Sequence, residues 1–95
     1  MKNIFDVIIS QKAKKQIAKL PQHVLMKLNL WVDAVNHSGI QDIRKISGYH
    51  DEPLHGNRYG QRSIGLNKSY RAIYIELDNG QIQFIEILEV NKHEH

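Results

Sequence analysis

The spacing of apolar positions changes period once along the chain, from a helical repeat to an alternating one. Ile4, Phe5, Val7, Ile8 and Ile9 form a nearly continuous β-branched and aromatic run, the pattern of a short strand buried on both faces. Ser10 stands where it can cap a helix. Ala13, Ile17 and Leu20 then fall at i, i+4 and i+7, one apolar stripe with Lys12, Lys14, Lys15 and Lys19 around it. Pro21 separates this helix from the next. Val24, Leu28, Trp31, Val32 and Val35 follow at i, i+4, i+7, i+8 and i+11, and Ser38-Gly39 is a stop signal. These two helices are expected to form an antiparallel hairpin, with Trp31 in the core. A shorter helical turn at Ile40, Ile43 and Ile46 ends at Ser47-Gly48.

Beyond Gly48 the period is two. Gly48 to Pro53 reads as a loop, a strand begins near Leu54, and Gly56 and Gly60 mark a bend. Arg62, Ile64 and Leu66 share one face of the next strand, with Ser63 and Gly65 on the other. Asn67-Lys68-Ser69 is a turn, Tyr70 to Leu77 a strand, Asp78-Asn79-Gly80 a hairpin turn, and Gln81 to Val90 the last strand before a polar tail. The order β-α-α-β-β-β-β predicts one α+β domain over residues 1–95. It is a small, twisted, mainly antiparallel sheet with a helical hairpin on one face and the other face open.

Two positions resist this pattern. Arg71 alternates with Ile73, Ile75 and Leu77, which reads as the core face; an arginine there must lie at an edge, be displaced by a bulge or be paired. In the last strand Ile82, Phe84, Leu88 and Val90 share a face with Glu86, while Ile85 and Ile87 lie opposite with Glu89. A central strand with apolar contacts on both sides accommodates them.

Composition narrows the class. Ninety-five residues give room for one core. With 41% hydrophobic and 24% charged residues the chain is ordinary for a folded domain. The absence of cysteine excludes disulfides and thiolate chemistry. No apolar run approaches the roughly 20 residues of a membrane helix. Asp6 interrupts the stretch a signal peptide would need to be apolar, so a cytoplasmic protein is expected. The net charge of +3 is modest, but its distribution is uneven. Up to Lys27 there are six lysines and no arginine; from Asp42 to Arg71 there are four arginines and two lysines against three acids. Four of the six histidines also lie in the second half.

Polar residues with chemical potential gather from His50 to Arg62 and from Asn91 to His95, with Arg71 between. If they converge, carboxylate, imidazole and guanidinium groups meet in one site. That set suits in-line RNA cleavage: a base takes the 2′-hydroxyl proton, an acid protonates the leaving 5′-oxygen, and cations stabilise the phosphorane. Histidine titrates near neutral pH, and an arginine fork matches two phosphate oxygens. Each residue also has a plainer role: Glu52 as a loop acid before Pro53, Arg58 and Arg62 as solvated or binding residues, His93-Glu94-His95 as a chain end. Tyr70 and Tyr74 share a strand face and either stack on bases or pack the sheet. Two histidines do not make a structural zinc site.

Glu52-Pro53-Leu54-His55-Gly56, Gly60-Gln61-Arg62-Ser63-Ile64, Tyr70-Arg71-Ala72-Ile73-Tyr74 and the terminal Lys92-His93-Glu94 resemble the RelE/ParE superfamily of toxins, and within it the RelE, YoeB and HigB-like branches. The resemblance runs through the whole chain in element order and is most specific from Glu52 to Tyr74. It implies the toxin half of a type II toxin–antitoxin pair, acting as a ribosome-dependent endoribonuclease on mRNA, with neither metal nor small-molecule cofactor. Its implied partners are a cognate antitoxin, the ribosome and mRNA. By the same resemblance Glu52 stands as general base, Arg71 as transition-state cation and His93 as general acid, with His95 able to take that role. His55, Arg58, Arg62 and Lys92 stand at commonly basic, phosphate-holding positions. Three residues depart from the pattern: His55 replaces a usual lysine, Gly65 a frequent arginine, and His95 a frequent tyrosine. A ParE-like gyrase inhibitor without nuclease activity and a non-toxic basic RNA- or protein-binding module are the competing functions.

Overall fold

The computed structural model describes residues 3–90. Strand β1 (Asp6–Ile9) leads into helix α1 (Gln11–Ile17), whose first turn is capped as expected: Ser10 Oγ accepts from Ala13 N at 3.1 Å. Helix α2 (Gln22–Ser38) begins after Pro21 and stops at Gly39, which takes φ +88°. Only glycine suits that site, because an added Cβ would also lie 2.2 Å from the Asn3 side chain. A short helix α3 (Ile40–Ile43) and a 3₁₀ turn at Ser47–Tyr49 complete the helical half.

Four strands follow: β2 (Glu52–Pro53), β3 (Arg62–Gly65), β4 (Tyr70–Glu76) and β5 (Gln81–Glu89). The strand expected near Leu54 is the two-residue β2, ending just before it. The five strands are ordered β1-β5-β4-β3-β2. All neighbours are antiparallel except β1 and β5, which are parallel. The predicted α+β architecture is therefore the observed one, and β5 is an interior strand, paired with β1 on one edge and β4 on the other.

A bulge resolves the puzzle of the last strand. Tyr74 lies opposite Phe84, yet Ile73 lies opposite Glu86, leaving Ile85 as the extra residue. The alternation of β5 shifts phase there, so Ile82, Phe84 and Ile87 all reach the core. Beyond the end of β1, α1 takes over the edge of β5: Gln16 Oε1 accepts from Ile87 N at 2.7 Å.

The core lies between the sheet and α2. Val24, Leu28, Trp31 and Val35 of α2 are each at most 1% exposed and pack with Ile64, Ala72, Tyr74, Ile82 and Phe84. Burying a large apolar side chain contributes roughly 1.5–3 kcal/mol. Trp31 lies 5.3 Å from the Tyr74 ring and 5.2 Å from that of Phe84, centroid to centroid. The assignment of faces in β4 reverses the sequence reading. Ala72 and Tyr74 face the helices, so Arg71, Ile73 and Ile75 face away. Tyr74 packs in the core instead of offering a base-stacking surface.

Candidate active site

Cross-strand register assembles the face opposite the helices. Glu52 pairs with Ser63, Ser63 with Ile73 and Ile73 with Glu86, so these four form one row across four strands. The next row holds Gly65, Arg71 and Leu88. Arg71 lies beside the Glu52 end of this arrangement. Its Nε and Nη2 donate to Ser63 Oγ at 2.9 and 2.7 Å, and Nη2 also donates to the His50 carbonyl at 3.0 Å. Glu52 Oε2 is 3.7 Å from Nη2, an ion pair too long for a hydrogen bond. The Glu52 side chain is 62% exposed, whereas Ser63 is 1% exposed. Arg71 is thus fixed from below by a buried hydroxyl, and the carboxylate beside it stays open to an incoming group.

Gly65 is part of that fixation. A Cβ there would lie 3.2 Å from Arg71 Nη1, so the missing side chain leaves the guanidinium space to lie flat. His50 contributes its carbonyl from a left-handed backbone (φ 49°), at the end of the 3₁₀ turn.

The remaining sequence candidates are divided. Arg58 reaches from the β2–β3 loop to Glu86 on β5 at 2.8 Å, and Gln61 Oε1 accepts from it at 2.8 Å. This strap spans the row of Ile73, which is 1% exposed although it faces away from the helices. Lys12 approaches the other Glu86 oxygen at 3.3 Å. Arg62 points to the helix side with its register partner Tyr74, and His55 lines a groove there with Arg44 and Glu76. Arg62 and His55 therefore do not join Glu52 and Arg71 on one face. Lys92, His93 and His95 lie outside the described residues. No group of three His, Cys, Asp or Glu side chains among the described residues is placed to hold a metal ion. No helix among them is long and apolar enough to cross a membrane.

Asp51, one of the three acids between Asp42 and Arg71, has a structural role that its sequence surroundings do not signal. Its side chain is 0% exposed. Oδ1 accepts from Arg62 Nε at 2.8 Å and Oδ2 from the Tyr74 hydroxyl at 2.6 Å. Tyr74 OH in turn accepts from Arg44 Nε at 3.2 Å, and Arg44 pairs with Glu76. Burial, reinforced by Asp51, holds the Tyr74 phenol in its neutral form well above the usual tyrosine range. Asp51 immediately precedes Glu52, so this web anchors the segment that carries the catalytic candidate.

The hydrogen bond from Arg58 holds Glu86 below its ordinary carboxylate range. A lowered folded-state pKa stabilises the fold above the unfolded value, and that contribution fades as pH falls through the folded one. Stability measured by urea titration should drop below about pH 4.5, and Glu86→Gln should flatten the drop. An unchanged profile in the variant would show that the strap's charge contributes nothing.

No protein-family model and no curated protein matches the sequence. Solved structures do match. YafQ from E. coli superposes with a TM-score of 0.70 at 18% identity, covering 90% of this chain and 92% of that one. RelE in the archaeal RelE–RelB complex from Pyrococcus horikoshii gives 0.69 at 16%, covering 94% and 98%. The YoeB–YefM complex from Staphylococcus aureus gives 0.66 at 17%, covering 96% and 98%. The chain therefore has the fold of the RelE, YoeB and YafQ toxins of type II toxin–antitoxin systems, at identities that carry the architecture alone.

Proposed function

We propose that this protein is the toxin of a type II toxin–antitoxin pair and cleaves translated mRNA on the ribosome. The observation that supports this reading best is the Glu52–Arg71 pair: an exposed carboxylate 3.7 Å from a guanidinium clamped on buried Ser63. Glu52 takes the proton from the 2′-hydroxyl, and that oxygen attacks the adjacent phosphorus. Arg71 stabilises the charge on the phosphorane. The leaving 5′-oxygen is protonated by His93, or by His95 in its place. Val90 N donates to Ser69 O at 2.7 Å, next to the Arg71 row. His93 lies three positions beyond Val90 in the sequence, outside the described residues.

In this reading the ribosome positions the substrate. A cognate antitoxin is the second partner, as RelB is for RelE and YefM for YoeB in the matched complexes. Mapping mRNA ends with and without ribosomes tests the reading. Cuts appearing only with ribosomes support it. Intact mRNA together with double-strand DNA breaks would replace it with gyrase inhibition.

Gly65 provides a finer test. Gly65→Ala places a methyl group 3.2 Å from Arg71 Nη1, so the guanidinium must shift by a few tenths of an ångström on Ser63. Misplacement of about 1 Å can cost 10²-fold in rate, so this smaller shift should lower cleavage by less than that, about tenfold, with little change in stability. A variant as active as the parent would show that the flat guanidinium is not required.

A further inference from the structure

A cavity of about 260 Å³ opens beside Arg71, and its lining includes Lys27, His50, Gly65, Asn67 and Lys68. Lys27 comes from α2, Lys68 from the β3–β4 turn, and Arg71 from β4, so three separate segments turn cations toward one space. Among the described residues, no carboxylate lines it. Asn67 presents no free acceptor either, because its side-chain oxygen accepts from Ser69 N at 2.8 Å and Tyr70 N at 2.9 Å. Lys27 Nζ lies 5.3 Å from the centroid of the Tyr49 ring, which steadies the ammonium at the rim.

Arg71 serves two sides. Nε and Nη2 are engaged by Ser63, the His50 carbonyl and the nearby Glu52. Among the described residues the hydrogen bonds of Arg71 all run from Nε and Nη2, and Nη1 lies over Gly65. Water occupies about 30 Å³ in the liquid, so the cavity holds a phosphate with part of its hydration.

We propose that this cavity is a second phosphate site, taking the RNA backbone phosphate next to the one that is cut. The ligand assignment rests on the ribonuclease reading; the anion preference rests on the lining alone. Lys27 and Lys68 close on the phosphate from two sides, and Arg71 Nη1 completes the contact. Nη1 then donates to the held phosphate, while the charge of the same guanidinium acts on the reacting one beside Glu52. This would fix the register of the strand across the cleavage point.

The test titrates ¹⁵N-labelled protein with adenosine 3′,5′-bisphosphate. The expected result is amide shifts at Gly65, Asn67 and Lys68, with affinity at least about tenfold weaker in the Lys27→Ala/Lys68→Ala double variant. Lys14→Ala/Lys15→Ala, exposed on α1, should bind like the parent. An uncleavable 2′-O-methyl oligoribonucleotide separates RNA from free anion. Losing one phosphate contact should lower the salt slope of its binding by about 0.7. Bisphosphate shifts confined to other residues, or a double variant that binds like the parent, would overturn the site. An unchanged oligonucleotide slope would overturn its assignment to RNA. Cleavage of mRNA on ribosomes reads the functional proposal separately: binding in the cavity without cleavage overturns that proposal and leaves the phosphate site standing.

Discussion

An Arg71→Ala variant is expected to cleave ribosome-bound mRNA about 10²–10³-fold more slowly, the usual effect of removing one preorganised transition-state donor. Glu52→Gln should lose about 10²–10⁴-fold, the range for a positioned general base. The two act on one proton transfer and one developing charge. The double variant should therefore be little worse than the weaker single variant. Single-turnover end-mapping on programmed ribosomes measures all three. Arg71→Ala also strips the buried Ser63 hydroxyl of its partner, a cost of about 1–3 kcal/mol. Arg71→Lys separates the effects, because it keeps the charge and loses the planar fork. Full activity in both Arg71→Ala and Glu52→Gln would reject the site.

The largest stability effect is expected at Asp51. Asp51→Ala leaves Arg62 and the Tyr74 hydroxyl without their shared acceptor and should destabilise the fold by about 3 kcal/mol, read from the urea midpoint. Arg62 is 27% exposed and can regain solvent, which places the cost at the low end for a broken buried pair. Tyr74→Phe removes the other end of the same contact. A double-mutant cycle between Asp51 and Tyr74 should show strong coupling. Additive losses would mean that the two contacts act independently. Tyr74 also touches Trp31 and lies 6.1 Å from Phe84, so Asp51 links the aromatic core to the residue before Glu52.

Most of the architecture was legible because it follows from local periodicity. The apolar stripe of α2 and the turn residues at 78–80 specify their elements without long-range information. What failed depended on distant partners. Nothing in the residues from Gln81 to Glu89 announces that Ile85 is an extra residue, since a bulge is defined by the opposing strand. The face of β4 was misread because Ile73 and Ile75 look like core, while Ile73 is covered by a loop strap instead of a helix. Motif resemblance singled out Glu52 and Arg71, which the fold brings together. It also grouped Arg62 with them, although the alternation already noted at Arg62, Ile64 and Leu66 placed it on the helix side. Asp51 had no local signal: its value comes from Tyr74, twenty-three residues later.

The parallel pairing of β1 with β5 also bears on synthesis. Strand β5, paired on both edges, is the last of the five in chain order, and it supplies Ile82, Phe84 and Ile87 to the core. A nascent chain that has emerged only through β4 lacks the partner of β1 and one of the two rings that pack against Trp31, that of Phe84. Closing the sheet joins residues more than seventy positions apart, an entropically costly contact that slows folding. The Arg58–Glu86 strap likewise waits for β5. The β5 side of the core and the strap across the open face therefore form together, after the other four strands have been made.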